Sequence, residues 1–229
     1  QAVLPAATGN ALTLNATPTD EVTAQANAFA QIGALRDWTR SVNPMDATAD
    51  FLATARVNQV LSCGAAFNGS SVQFGLPGFG CVNMAYSTVV LHEMGHWLNV
   101  RYGNGNDPDG FGEGNADVYA MFATDQPVVG EDFCGPGCSV RTGENTRPFC
   151  GDLNVGCYAN PHQNGEVLMG ALWKVRERLK LSLGASAGAA AADTLFNAWM
   201  LAFDDMKITT LIEEHWLLLD DDDGDLCNG

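Results

Sequence analysis

The sequence predicts an α+β fold: a small N-terminal sheet, a central helix bearing a charged motif, and a mainly helical second half. Three observations carry that prediction. Short alternating segments flank an Asn-Gly turn in the first half. Several longer segments repeat apolar residues at helical spacing. Of the 229 residues, 46% are hydrophobic and 17% charged, which supplies a real core and argues against disorder. No internal repeat or linker divides the chain, so residues 1–229 read as a single compact domain.

Taken in order, the first residues are small and Thr-rich, with one short strand expected at Ala11–Asn15. Thr17-Pro18-Thr19-Asp20 reads as a helix start: a capping hydroxyl, proline in the first turn, and acid at the positive helix end. Val22, Ala26, Phe29, Ile32, Leu35 and Trp38 then predict a helix to about Arg40 with that face buried. Ala55–Leu61 alternates as a strand, and Ser71–Phe74 reads as a second after the Asn68-Gly69 turn. Within Cys81–Asn99, the residues Tyr86, Val89, Val90, Met94 and Trp97 form an apolar helical stripe. A Gly/Asn/Asp loop over Tyr102–Phe111 precedes a helix at Gly114–Ala123. Thr124–Pro161 has little periodicity and holds four cysteines, so it needs staples or a bound ion. Helices at Asn164–Leu181 and Ser186–Phe203 and an amphipathic stretch at Ile208–Leu219 precede the acidic run Asp220–Asp225.

Charge narrows the function. Lys and Arg total 11 against 27 Asp and Glu, a net charge of -16 at pH 7. Such a surface repels nucleic acid, and no basic cluster offsets it. No apolar run approaches the length of a membrane span. A monomer is favoured.

The decisive motif is His92-Glu93-Met94-Gly95-His96. On a helix, positions i and i+4 share one face, so both imidazoles can reach one metal ion. Glu93 can contact a water at that ion, which is the metallopeptidase arrangement with a glutamate general base. Val89, Val90, Leu91 and Trp97 place the helix in the core, where uncoordinated His and Glu would be costly. Catalytic zinc takes three protein ligands and leaves one position for water. Glu113, opening the next helix in Phe111-Gly112-Glu113-Gly114-Asn115-Ala116-Asp117, is the best third ligand. Asp117, four residues on, can accept the second ring proton of a ligating histidine. Asp117 itself, His162 and His215 are the alternative ligands.

Together these residues resemble a gluzincin, a metallopeptidase with two histidines and one glutamate, closest to the fungalysin-like family and more distantly to thermolysin. Cys63–Gly69, with Val72 and Phe74-Gly75, resembles the edge strand that pairs with substrate, which makes Ala65 a substrate-binding residue. Pro161–Glu166, followed by Ala171-Leu172-Trp173, resembles the segment whose histidine stabilises the oxyanion, a role that falls to His162. A tyrosine often assists, and Tyr102 and Tyr158 are the candidates; His215 reads as structural. The Asp220–Gly229 run resembles the end of bacterial fungalysin-like catalytic domains. The resemblance implies a two-lobed zincin-like domain, its cleft between residues 1–105 and 106–229, that hydrolyses internal bonds of a protein or peptide. It departs at Gly64, where the family commonly carries an asparagine that binds substrate backbone. An aminopeptidase of the same superfamily is the first alternative, but it needs an acidic anchor for the free amine, and Gly75–Tyr86 contains none. A non-catalytic binding module on the same fold is the second, and the presence of Glu93 argues against it.

Seven cysteines, few lysines and an Asn/Asp/Gly-rich surface read as an exported, disulfide-bonded protein, already processed since no signal peptide opens the chain. Three disulfides are expected, at least two of them within or anchoring Cys134–Cys157, with Cys63–Cys81 as the third. The rival is a structural zinc site, from the spacing of Cys134 and Cys138. Two acidic loops are candidate calcium sites: Asn104–Gly110, with Asp107 and Asp109, and the run of Asp221, Asp223 and Asp225.

Overall fold

The computed structural model describes residues 18–106, 109–133, 135–153 and 156–221. Among them the chain forms a mixed α+β fold with six helices and two small sheets. Helix α1 spans Asp20–Val42, and the Oγ1 of its N-cap Thr19 accepts the Val22 N–H at 3.3 Å, so Pro18 precedes the cap instead of standing in the first turn as expected. Its buried face is Ala24, Ala28, Leu35 and Thr39; of the expected stripe Leu35 is buried and Ile32 and Trp38 are partly buried against the core, while Val22, Ala26 and Phe29 are exposed, Phe29 by 83%. Alanines let the helix lie close against its neighbours, and the larger Val22 and Phe29 are turned outward. The strand expected at Ala11–Asn15 lies outside the described residues.

Strands β1 (Ala55–Gln59), β2 (Ala65–Phe67) and β3 (Val72–Gly75) form a sheet in the order β1-β3-β2. β1 pairs parallel with β3, and β2 pairs antiparallel with it, Ala65 opposite Phe74. The β2–β3 hairpin turns through Asn68 and Gly69, whose φ of 89° suits glycine. Asn68 Oδ1 accepts the N–H groups of Ser70 and Ser71 at 3.1 and 2.9 Å, which fixes the turn. β2 therefore forms one edge of the sheet.

Helix α2 (Ser87–Tyr102) buries Val90, Leu91, Met94 and Leu98, and its Trp97 packs on Phe51 and Phe67 with ring centroids 4.8 and 5.3 Å apart. Helix α3 (Phe111–Thr124) is buried along almost its whole length. The two cross closely because Gly95 has no side chain: a Cβ there would lie 2.7 Å from Ala116 Cα. Helix α4 (Pro161–Leu183) meets α3 by the same device, since a Cβ on Gly165 would lie 2.5 Å from the Gly114 nitrogen. Helices α5 (Ala185–Ala202) and α6 (Leu211–Asp220) complete the core, where Trp199 packs on Phe111, Phe196 and Trp216.

The aperiodic cysteine-rich segment contains a two-residue ladder, β4 (Val128–Val129) with β5 (Arg141–Thr142). Disulfides join Cys63 to Cys81 and Cys150 to Cys157, and Cys138 is also disulfide-bonded. Sulfurs so paired are not thiolates, so the rival zinc site built from the four thiols of Cys134–Cys157 is set aside. No helix among the described residues is long and apolar enough to cross a membrane.

Candidate metal centre

The two close crossings set the site. α2 projects His92 and His96 from one face, and the Gly95–Ala116 contact brings the first turn of α3 opposite them. His92 Nε2 and His96 Nε2 lie 3.1 Å apart. Glu113 Oε2 lies 3.4 Å from His92 Nε2 and 3.6 Å from His96 Nε2. Ligand atoms held about 2.0–2.1 Å from a tetrahedral ion lie about 3.3–3.4 Å apart, so this trio has the spacing of a metal site. Among the described residues it is the group of His, Cys, Asp and Glu that could hold a metal ion. Glu113 Oε2 is buried without a hydrogen-bond partner of good geometry. A carboxylate oxygen left so among imidazoles is costly unless a cation sits between them, and the donor set fits one.

The electrostatics agree. Burial alone would raise the Glu113 pKa, but the adjacent His92 and His96 imidazoles hold it far below the usual carboxylate range. Burial would lower the His92 pKa, but the Asp117 charge and contacts with Asp117 and Glu113 push it up to about 10. In the metal-free protein this site attracts a proton, and a metal ion satisfies the same attraction.

Asp117 is fully buried, and its Oδ1 accepts His92 Nδ1–H at 2.7 Å. That bond leaves His92 Nε2 as the metal-facing nitrogen. Arg141 of β5 clamps the same carboxylate, Nε to Oδ2 at 2.7 Å and Nη2 to Oδ1 at 2.9 Å. Burial opposes ionisation of Asp117, yet Arg141 and His92 bring its pKa down to about 2. Sequence reasoning missed Arg141. Its one signal is indirect: a buried carboxylate needs a buried cation. The second partner missed is Asn106, whose Oδ1 lies 3.1 Å from His96 Nδ1.

Glu93 is 6% exposed, and its carboxylate accepts the Phe67 N–H of β2. Burial raises its pKa against the pull of His92 and His96. Ala65 lies two residues before Phe67 on the same edge strand. His162 stands in the first turn of α4, whose N-cap Asn160 accepts the Gln163 N–H at 3.0 Å. The Gly114–Gly165 contact carries His162 Nε2 to 3.3 Å from Glu113 Oε2. Its side chain is 55% exposed and stands outside the mutual metal group. Burial lowers the His162 pKa, and Arg141 and His92 act in the same direction against Glu113.

Other candidates lie elsewhere. The Tyr102 hydroxyl donates to Asp46 and meets Asn197 Nδ2 at 3.3 Å, and the Tyr158 hydroxyl donates to the Pro148 carbonyl at 3.3 Å. Neither set of partners belongs to the metal group. His215 stacks on Phe203 at 3.8 Å and bonds Asp205 at 2.8 Å, a structural arrangement. Asp109 uses both carboxylate oxygens on backbone, accepting Phe111 N–H at 2.9 Å and Ile208 N–H at 3.0 Å. Asp221 ends α6 as its C-cap, and Asp107, Asp223 and Asp225 lie outside the described residues. No known protein-family profile matches the chain, and no curated protein shows significant similarity to it.

Proposed function

We propose that the chain is a secreted, zinc-dependent endopeptidase of the gluzincin type, working in a cleft between residues 1–105 and 106–229. The observation that carries this reading is the buried, unpartnered Glu113 Oε2 facing His92 and His96, with the Glu93 carboxyl buried beside them. Zinc held by His92, His96 and Glu113 would supply a Lewis acid that polarises a peptide carbonyl and acidifies water.

The remaining work falls to side chains and backbone. Glu93 takes the proton of the attacking water and delivers it to the leaving nitrogen. Its burial raises its basicity toward the value a general base needs. The open edge of β2, with Ala65, receives an extended peptide as an added strand. His162 donates toward the oxygen that becomes negative, from a helix N-terminus whose dipole favours that charge. Asp117 holds His92 in one tautomer, and Arg141 holds Asp117. The disulfides fit an oxidising compartment.

The test is zinc analysis with a peptide-library digest of wild type and Glu93→Gln. Wild type should hold one zinc per chain and cleave internal bonds. The variant should keep its zinc and lose about 10²–10⁴-fold in kcat. Cleavage confined to N-terminal residues would favour an aminopeptidase. Equal turnover by both proteins would remove Glu93 from the chemistry.

A further inference from the structure

The two histidines of the motif are anchored by different chemistry. His92 gives its Nδ1–H to a charged carboxylate, Asp117. His96 faces a neutral carboxamide, that of Asn106, at 3.1 Å. Asn106 belongs to the loop between α2 and α3 whose oxygen-rich composition suggested a calcium site. Here its side chain turns inward. Asn106 Nδ2 donates to the His96 carbonyl at 3.0 Å. A carbonyl only accepts, so this bond fixes which end of the amide is nitrogen. Oδ1 must then face His96 Nδ1, and that nitrogen must carry the hydrogen. His96 Nε2 is left with its lone pair directed at Glu113 and His92.

The amide is itself held from behind. Asn99 Nδ2 donates to Asn106 Oδ1 at 3.1 Å and lies 3.4 Å from the Gly112 carbonyl. Asn115 Nδ2 donates to Asn99 Oδ1 at 2.6 Å. Asn99 and Asn115 are both fully buried. Space is reserved as well, since a Cβ on Gly112 would lie 2.5 Å from Asn106 Oδ1. A line of three carboxamides thus runs from α3 through α2 to the loop and ends on the histidine ring.

We propose that Asn106 is a positioning residue for His96, setting its Nδ1–H tautomer and ring plane for metal ligation without adding charge. The inference rests on the zinc reading of the same site. Asp117 and Asn106 form an unequal pair of supports, one anionic and one neutral. Glu93, Glu113 and Asp117 already place three carboxyl groups at the site, and a fourth would oppose them. A neutral acceptor orients the ring without that repulsion.

The experiment is nitrogen-15 NMR of histidine-labelled protein, with zinc affinity measured by chelator competition. Zinc-loaded wild type should show Nδ1–H on both His92 and His96, each protected from exchange. Asn106→Leu removes both bonds to His96 and the acceptor of Asn99 Nδ2. It should lose the protected His96 signal, keep that of His92, and bind zinc about 10–100-fold more weakly. A wild-type His96 protonated at Nε2 overturns the inference. So does an Asn106→Leu protein with an unchanged His96 signal and unchanged zinc affinity. If that variant does not fold, the wild-type tautomer decides alone. A wild type that binds no zinc sinks the peptidase reading, while its His96 tautomer, read metal-free at alkaline pH, still decides the role of Asn106.

Discussion

Replacing Arg141 with methionine takes the cation away from a carboxylate that has no exposure to solvent. The guanidinium meets Asp117 through two bonds, at 2.7 and 2.9 Å, and its side chain is 9% exposed. Methionine keeps much of the apolar stem, so the loss is chiefly electrostatic. Breaking a buried pair from one side costs about 3–5 kcal/mol where the remaining charge is stranded; in the metal-free protein the proton on His92 still faces Asp117, so the loss lies toward the lower end of that range. In a chain of this size each kcal/mol moves Tm by about 2–4 °C, so metal-free Arg141→Met should melt below wild type by an amount toward the lower end of about 6–20 °C. Adding Asp117→Asn removes the stranded charge and should recover part of that loss. Metal affinity should not recover with it, since His92 then lacks its anionic acceptor. Calorimetry on the metal-free proteins, with zinc competition on the same samples, reads both effects. A single variant within about 2 °C of wild type would refute the reasoning, as would a double variant no more stable than Arg141→Met.

Three further outcomes are expected. His162→Ala should keep zinc and leave KM near wild type while kcat falls about 10²–10³-fold, in steady-state kinetics with metal content measured alongside; unchanged kcat removes the oxyanion role. Gly95→Ala forces a Cβ to within 2.7 Å of Ala116 Cα, so it should destabilise by about 1–3 kcal/mol and loosen metal retention. Denaturant titration at wild-type stability would show that the crossing can relax at no cost. Asp46 supplies the pH dependence. Burial opposes its ionisation, but bonds from Tyr102, Asn197 and Thr48 hold its pKa below 3.8 in the folded chain. Its contribution is present above that value and fades as pH falls through the depressed pKa. Asp46→Asn should therefore flatten that acid limb in melts recorded across the range, and an identical limb would discount the group.

Much of this was legible in the sequence because strong local signals coincide with tertiary demands. The His92–His96 spacing works only on a helix, and the dense apolar residues around it leave that helix no place but the core. Asn68-Gly69 forces a hairpin almost by itself, and Thr19 caps where a hydroxyl before acidic residues should. What was illegible lacked a period. The buried face of α1 rests on Ala24 and Ala28, whose small side chains barely register against Phe29 and Val22. β4 and β5 are two residues each, too short to alternate. Arg141 and Asn106 act through single contacts across the fold, and nothing near them in the chain marks their partners. Asp109 shows a related limit. A carboxylate that caps backbone N–H groups and one that binds calcium look alike in one dimension.

The edge strand carries a liability along with its use. Among the described residues β2 pairs along its length only with β3, and on its outer side the Phe67 N–H already goes to Glu93, so the stretch around Ala65 is the part left for another extended chain. A second copy of the protein is one extended chain that can reach it. A net charge of -16 at pH 7 keeps copies apart by mutual repulsion while leaving the edge chemically available. Acidification neutralises the carboxylates and removes that repulsion, but it does not alter the strand. Colloidal stability should therefore fail on the acid side before the fold does, with soluble assemblies joined through β2 as the first species to appear.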